Sequence, residues 1–566
     1  MKNVFDIGLT IEFLVRKRNY LILLFLIVRI TEFALDLIKG DGDGSITSFY
    51  PYMVLTTTKL TLLIGFVGLS IIKYADTDFR QVGLRLLDKL KLPSKTLYFI
   101  VLSITYLSFS IYYNRGGYLE PESEFGIEGN YTIGYIRHYL SDNSFWKKIF
   151  DVNITDNASF QSRELSFMID YVDCAFIDWC VGLGFPHFYS LSHYIFLMGL
   201  GWLVYQFCMK VFKLPVFLSL CLVMVLWATP CMFLSVSFYR SAKISTSFFL
   251  FWYFTLVYQI LQNQENRISI WKHISLFLIA SAITFTDRQG FFFMLLFILF
   301  FIFKWISVPQ KATAHLFFSC LGVILFNVFY NSYLGIKFVF YLNGYYPNLA
   351  YQRIPWEMLT DWWSYQDVIF LGFASNLFLQ EGRLLLGNIP TFLMFLLAIV
   401  FILIFAKYQP WRVRNSDLTT PNHLKGVSGA FLFLLFFAII ILNLLMFMRF
   451  PTMYQEGYFR LYYPIPVTVV LFMVSIWVLY ILKENKLLKN STLHLIVLFI
   501  ALSNVFSLPE HNAILRSKIA PRWERMKDTP VFLEGLRNLN NPQYQVPDSL
   551  ADRPIFKFFK ERHTKK

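Results

Sequence analysis

Ser162–Cys180 reads S-R-E-L-S-F-M-I-D-Y-V-D-C-A-F-I-D-W-C, and the rest of the chain is organised around it. Wound at about 100° per residue, it predicts a helix with Leu165, Met168, Ile169, Val172, Ala175, Phe176 and Trp179 on one face. Arg163, Ser166, Asp170 and Asp173 fall on the opposite face, with Glu164 at its margin. Ser162 stands at the N-cap position, and Glu164 in the first turn suits the positive end of the helix dipole. The pattern predicts an amphipathic helix on a membrane surface, its apolar face pinned to the core and its acids turned to a water-filled cavity. The alternative is an ordinary interfacial helix whose charges meet solvent.

Composition decides the setting. Of 566 residues, 56% are hydrophobic and only 15% charged, with a mean hydropathy of +0.51. Those values exclude an ordinary soluble enzyme and point to a multi-span membrane protein. The net charge of +15 comes from Lys and Arg between apolar runs, where they set orientation. No Arg-rich patch interleaved with aromatics argues for nucleic acid. The six cysteines show neither redox nor zinc spacing, and Cys174 and Cys180 point to different sides of a continuous helix. The first apolar run lacks a small-residue cleavage site and does not read as a signal peptide.

The apolar runs predict an all-α polytopic protein of about thirteen spans. Residues 1–96 hold two N-terminal spans, about 20–38 and 54–72, and a Lys/Arg-rich loop that the charge rule makes cytoplasmic. Residues 97–508 form the core. Its spans lie at about 97–113, 189–209, 214–234, 245–262, 271–286, 290–306, 314–334, 389–406, 427–447, 464–482 and 492–508. Two large extracytoplasmic loops interrupt it, 114–188 and 335–386. The polar, basic tail 509–566 follows, partly helical and extracytoplasmic by span count. The sequons at Asn130, Asn153 and Asn157 would matter in an endoplasmic reticulum membrane, but a bacterial inner membrane is the preferred location.

The polar chemistry gathers on one predicted face. Glu164, Asp170 and Asp173 come from the first large loop, with Asp41 and Asp43 as outsiders. The external turns supply Arg240, Lys243, Arg288, Arg383 and Arg460. Cations beside carboxylates at a membrane boundary pair with each other or bind ligands, and a lipid-linked phosphate is a ligand that needs them. The carboxylates would then deprotonate an acceptor hydroxyl or hold a divalent metal. No phosphate-binding glycine loop, zinc-protease helix or nucleophile elbow is present. His187 and His193 read as core or interface residues.

F-R-L-Y-Y-P-I-P at Phe459–Pro466 resembles the R-Y-x-x-P signature that enters a late span of the GT-C class of integral-membrane glycosyltransferases. T-D-R-Q-G at Thr286–Gly290 resembles the R-x-x-G turn of several such families, which include protein mannosyltransferases and the lipid A aminoarabinose transferase. With 97–113 as the first core span, the loop 335–386 falls where the class places its second large loop. The two N-terminal spans are extra, and paired acids directly after the first core span are missing, so the acid is chosen among Glu164, Asp170 and Asp173.

The resemblance implies a GT-C-like core that transfers a sugar from a polyprenyl-phosphate-linked donor to a glycan, lipid or protein acceptor on the extracytoplasmic face. Arg240, Lys243, Arg288 and Arg460 would bind the donor phosphate. An oligosaccharide polymerase or ligase acting on lipid-linked glycans is the second reading, and a transporter or flippase the third. A transporter predicts inverted repeats and broken mid-membrane helices, which the sequence lacks.

Overall fold

The computed structural model describes residues 95–113, 163–186, 191–229, 241–262, 268–307, 311–341, 465–484, 529–552 and 554–564, with isolated positions elsewhere. Among these residues the regular structure is helical. The helices are α1 (Lys95–Tyr113), α2 (Glu164–Gly182), α3 (Leu191–Lys210), α4 (Val216–Trp227), α5 (Ala242–Gln262) and α6 (Ile270–Thr286). There follow α7 (Arg288–Ser307), α8 (Lys311–Tyr341), α9 (Ile465–Glu484), α10 (Thr529–Arg537), α11 (Asp548–Ala551) and α12 (Pro554–Thr564).

Among the described residues, four stretches are long and apolar enough to cross a membrane: Leu191–Lys210, Ala242–Leu261, Gln289–Ile306 and Lys311–Tyr330. Shorter apolar stretches lie in α1 (Thr96–Ser108), α4 and α6. By length and composition the four give the chain the character of a membrane protein. The two N-terminal spans, most of the loop 335–386 and the spans at 389–406 and 427–447 lie outside the described residues. Two predicted bounds change. Helix α4 stops at Trp227 rather than near 234, and α8 continues to Tyr341, seven residues into what the sequence reads as loop.

Helix α5 sits at the centre, packed on α3, α6 and α9, while α6, α7 and α8 form a second layer. Their shared core is dominated by large fully buried rings, among them Trp227, Tyr205, Tyr253, Phe251, Phe297 and Phe301. Trp227 locks α1, α3 and α4 together. Its indole donates to the Leu197 carbonyl at 3.1 Å, and its own carbonyl accepts from the Tyr106 hydroxyl at 2.8 Å. Its six-membered ring lies flush against Gly201, where any β-carbon would overlap it. In an apolar setting helices gain little from hiding oil from oil, so close packing and buried hydrogen bonds of this kind carry the association.

Helix α2 lies across one end of this bundle, against the start of α3 and the end of α6. Its orientation overturns the sequence expectation. The buried face carries Glu164, Ser166, Asp170 and Asp173, together with Phe167, Cys174, Ile177 and Val181. None of the seven residues of the expected core-facing stripe is buried, and Val172 and Trp179 are 56% and 60% exposed. The physical reason is the solvent. Beside a bilayer, apolar side chains lose nothing by facing outward, whereas carboxylates need partners that only the protein supplies. The cap differs too: Arg163 takes the N-cap position, without a capping side chain, and Ser162 lies outside the described residues.

The tail helices pack on α2. Phe532, Leu536, Leu550, Phe556 and Phe559 form a small second core with Phe167, Cys174, Ile177 and Val181. Asp178 of α2 closes it, accepting from Arg562 Nε at 2.9 Å and meeting His563 Nε2 at 2.9 Å. Arg562 also donates to the Leu140 carbonyl at 2.8 Å. Tail and α2 therefore share one side of any membrane the bundle spans.

Candidate functional site

The site begins at the break between α6 and α7. Helix α6 ends at Thr286 because Asp287 is extended (φ −150°, ψ 148°). The Asp287 carboxylate then caps α7, its Oδ1 accepting from the Gln289 amide at 2.9 Å. The turn is possible because residue 290 is glycine: a β-carbon there would collide with the Ile283 carbonyl and come within 2.8 Å of Ile283 Cγ2.

Two cations converge on that carboxylate. Lys243, in the first turn of α5, places Nζ 2.7 Å from Oδ1, with both side chains almost wholly buried. Arg163, at the head of α2, brings Nη2 to 3.9 Å from Oδ2 and stays 25% exposed. Burial pushes the Asp287 pKa up. The Lys243 and Arg163 charges, with the hydrogen bonds from Lys243 and the Gln289 amide, outweigh it and hold the carboxyl below its ordinary value.

The acids of α2 lie alongside. Asp173 accepts from the Ser192 amide at 2.8 Å and the Ser192 hydroxyl at 2.6 Å. Ser192 has one hydroxyl proton and spends it on Asp173, so Ser241 donates across their 2.6 Å contact. This chain staples α2 to the start of α3 and to the residue preceding α5. At the head of α2, Glu164 accepts from the Tyr330 hydroxyl of α8 at 2.6 Å. Asp170, equally buried, lies one turn before the Asp173 staple. His193 follows Ser192, is fully buried, and has no hydrogen-bond partner on either ring nitrogen among the described residues.

Of the residues singled out in the sequence, Glu164, Asp170, Asp173 and Lys243 come together at one end of the bundle. Arg240 and Arg460 lie outside the described residues, as does the side chain of Arg288, whose backbone opens α7 beside Asp287. Lys243 is not a free cation, because Asp287 neutralises it. Sequence reasoning missed Asp287, although an aspartate between two apolar helices carries an N-cap signal. It also missed Tyr330, whose run gives no sign of a site. Among the described residues, no three His, Cys, Asp or Glu side chains gather closely enough to hold a metal ion. The carboxylates here are instead engaged by Ser192, Tyr330, Lys243 and backbone amide hydrogens.

Comparison with protein-family models, with characterised proteins and with solved structures yields no match for this chain.

Proposed function

We propose that the chain is a membrane glycosyltransferase of the GT-C kind, moving a sugar from a polyprenyl-phosphate-linked donor to an acceptor hydroxyl on the extracytoplasmic face. The observation that carries this reading is the meeting of three buried α2 carboxylates with Lys243, Arg163 and Asp287 at one end of an apolar bundle. Buried ionisable groups at a membrane boundary mark functional sites, and acids beside cations suit a base paired with phosphate binders.

The hydrogen bonds divide the acids. Both Asp173 oxygens are committed to Ser192, which makes Asp173 the tether of α2. We take Glu164, which accepts from the Tyr330 hydroxyl, or Asp170 as the base that receives the acceptor proton. As the sugar's bond to the donor phosphate breaks, charge builds on the departing phosphate, and nearby cations stabilise it. Arg240, Arg288 and Arg460 remain proposed contributors from the flanking turns. The acceptor class stays glycan, lipid or protein, and the membrane proposed is a bacterial inner membrane.

The test is accumulation of the donor. A strain lacking the protein should build up a polyprenyl-phosphate sugar, identified by mass spectrometry, and purified protein in nanodiscs should discharge it. An unchanged lipid-linked sugar pool, with no discharge in vitro, would reject the enzyme. Build-up of a lipid-linked oligosaccharide rather than a single sugar would favour the polymerase or ligase.

A further inference from the structure

We propose that Arg163 grips the phosphate of a lipid-phosphate ligand whose hydrocarbon chain runs along Tyr330, Phe285 and Phe326. The inference rests on the lipid-phosphate reading above and adds residues that reading did not assign to the ligand.

The argument starts from an unpaired donor. The Nε of Arg163 is buried and has no hydrogen-bond partner among the described residues. Nη2, its neighbour on the same edge of the guanidinium, reaches only to 3.9 Å from Asp287 Oδ2, beyond hydrogen-bond length. Lys243, by contrast, meets Asp287 at hydrogen-bond distance, 2.7 Å. Two cations thus share the Asp287 carboxylate, and Arg163 is the one of the two with access to the outside. The Nε–Nη2 edge offers two parallel N–H groups, which fit two oxygens of one phosphate. Leaving such a donor buried and unpaired is costly, and a ligand oxygen removes that cost.

The second observation is aromatic. Tyr330 donates to Glu164, the residue next to Arg163. Its ring lies 5.7 Å from Phe285 and 6.3 Å from Phe326, nearly parallel to the latter, and Phe285 closes the trio at 5.7 Å from Phe326. Phe326 is 53% exposed and Phe329 69%. An apolar strip therefore leads from the charged site to the outer surface of the bundle. Inorganic phosphate has no use for it; a phosphate carrying a hydrocarbon chain does.

The experiment measures binding without turnover, on the full-length protein in maltoside micelles. The probes are dodecyl phosphate, inorganic phosphate and dodecanoate, read by equilibrium dialysis and by ligand-induced thermal stabilisation. Wild type should prefer dodecyl phosphate to both other probes. Arg163→Gln should weaken it about ten- to a hundredfold, and Arg163→Lys should also weaken it, since it keeps the charge but loses the fork. Phe326→Ala should weaken dodecyl phosphate and leave inorganic phosphate unchanged. If Arg163→Gln fails to fold, judged by elution and melting without ligand, Arg163→Lys carries the test. Unchanged binding in a folded Arg163 variant overturns the assignment while leaving the lipid-phosphate reading standing. Equal binding of dodecanoate and dodecyl phosphate by wild type overturns both. Inorganic phosphate bound as tightly as dodecyl phosphate, with Phe326→Ala silent, removes the chain track.

Discussion

Replacing Asp287 with Asn should destabilise the protein by about 3–5 kcal/mol, because it takes the carboxylate away from a buried, ion-paired lysine. Lys243 and Asp287 are 3% and 2% exposed, with Nζ 2.7 Å from Oδ1. Asparagine caps a helix about as well as aspartate, so the α7 cap is preserved and the charge effect is isolated. Asp287→Ala should cost about a further 1 kcal/mol, the typical value of a lost cap. Adding Lys243→Met to Asp287→Asn removes the lysine charge along with the carboxylate and should recover most of the loss, since an apolar replacement of a buried pair is often neutral. Unfolding by SDS titration in mixed micelles measures the whole cycle. The pH dependence has a definite sign. The folded carboxyl is depressed, so its contribution is present above the unfolded value of about 3.9 and is lost as pH falls through the folded value. The gap between wild type and Asp287→Asn should therefore narrow under strong acid. A single variant within about 1 kcal/mol of wild type, or a double variant no better than the single, would refute this account of the pair.

Three further outcomes are expected. Glu164→Gln or Asp170→Asn, whichever removes the base, should lower turnover by about 10²–10⁴-fold with unchanged melting, whereas Asp173→Ala should instead melt earlier and open 163–190 to protease. Gly290→Ala should cost about 1–3 kcal/mol or more, seen in the same SDS titration, because the Ile283 backbone in its way cannot swing aside. Asp178→Ala should release α12, detected as faster hydrogen exchange over 554–564 at a cost of about 1 kcal/mol, since Arg562 is 39% exposed and its pair is partly screened.

Much of the helical layout is legible in the sequence. The run expected at 189–209 is Leu191–Lys210, that at 271–286 is Ile270–Thr286, and that at 464–482 is Ile465–Glu484. Long apolar runs bounded by charge or proline fix those bounds without help from tertiary contacts. The roll of α2 is a different matter. Its two faces are plain in the pattern, but which one turns inward depends on whether lipid or water lies outside, and periodicity is the same in both cases. The site shows the same division. Glu164, Asp170, Asp173 and Lys243 are conspicuous as charges in an apolar chain. Their partners Ser192, Ser241 and Tyr330 are ordinary residues made functional by neighbours 19, 49 and 166 positions away along the sequence. Asp287 is hidden for another reason: it does two jobs, helix cap and counter-ion, and only the first leaves a local trace.

The grip of Arg562 and His563 on Asp178 spans 384 and 385 positions. Contacts that distant form late, because the intervening chain must be made and ordered before the two ends can meet. The bundle helices can insert and pack one after another while α2 still lacks the surface that holds its outer flank. The acid-bearing helix is therefore completed at the end of assembly rather than at its own turn in synthesis. A chain that ends before residue 562 keeps the Asp173 staple of α2 to the bundle but lacks the clamp on its outer flank.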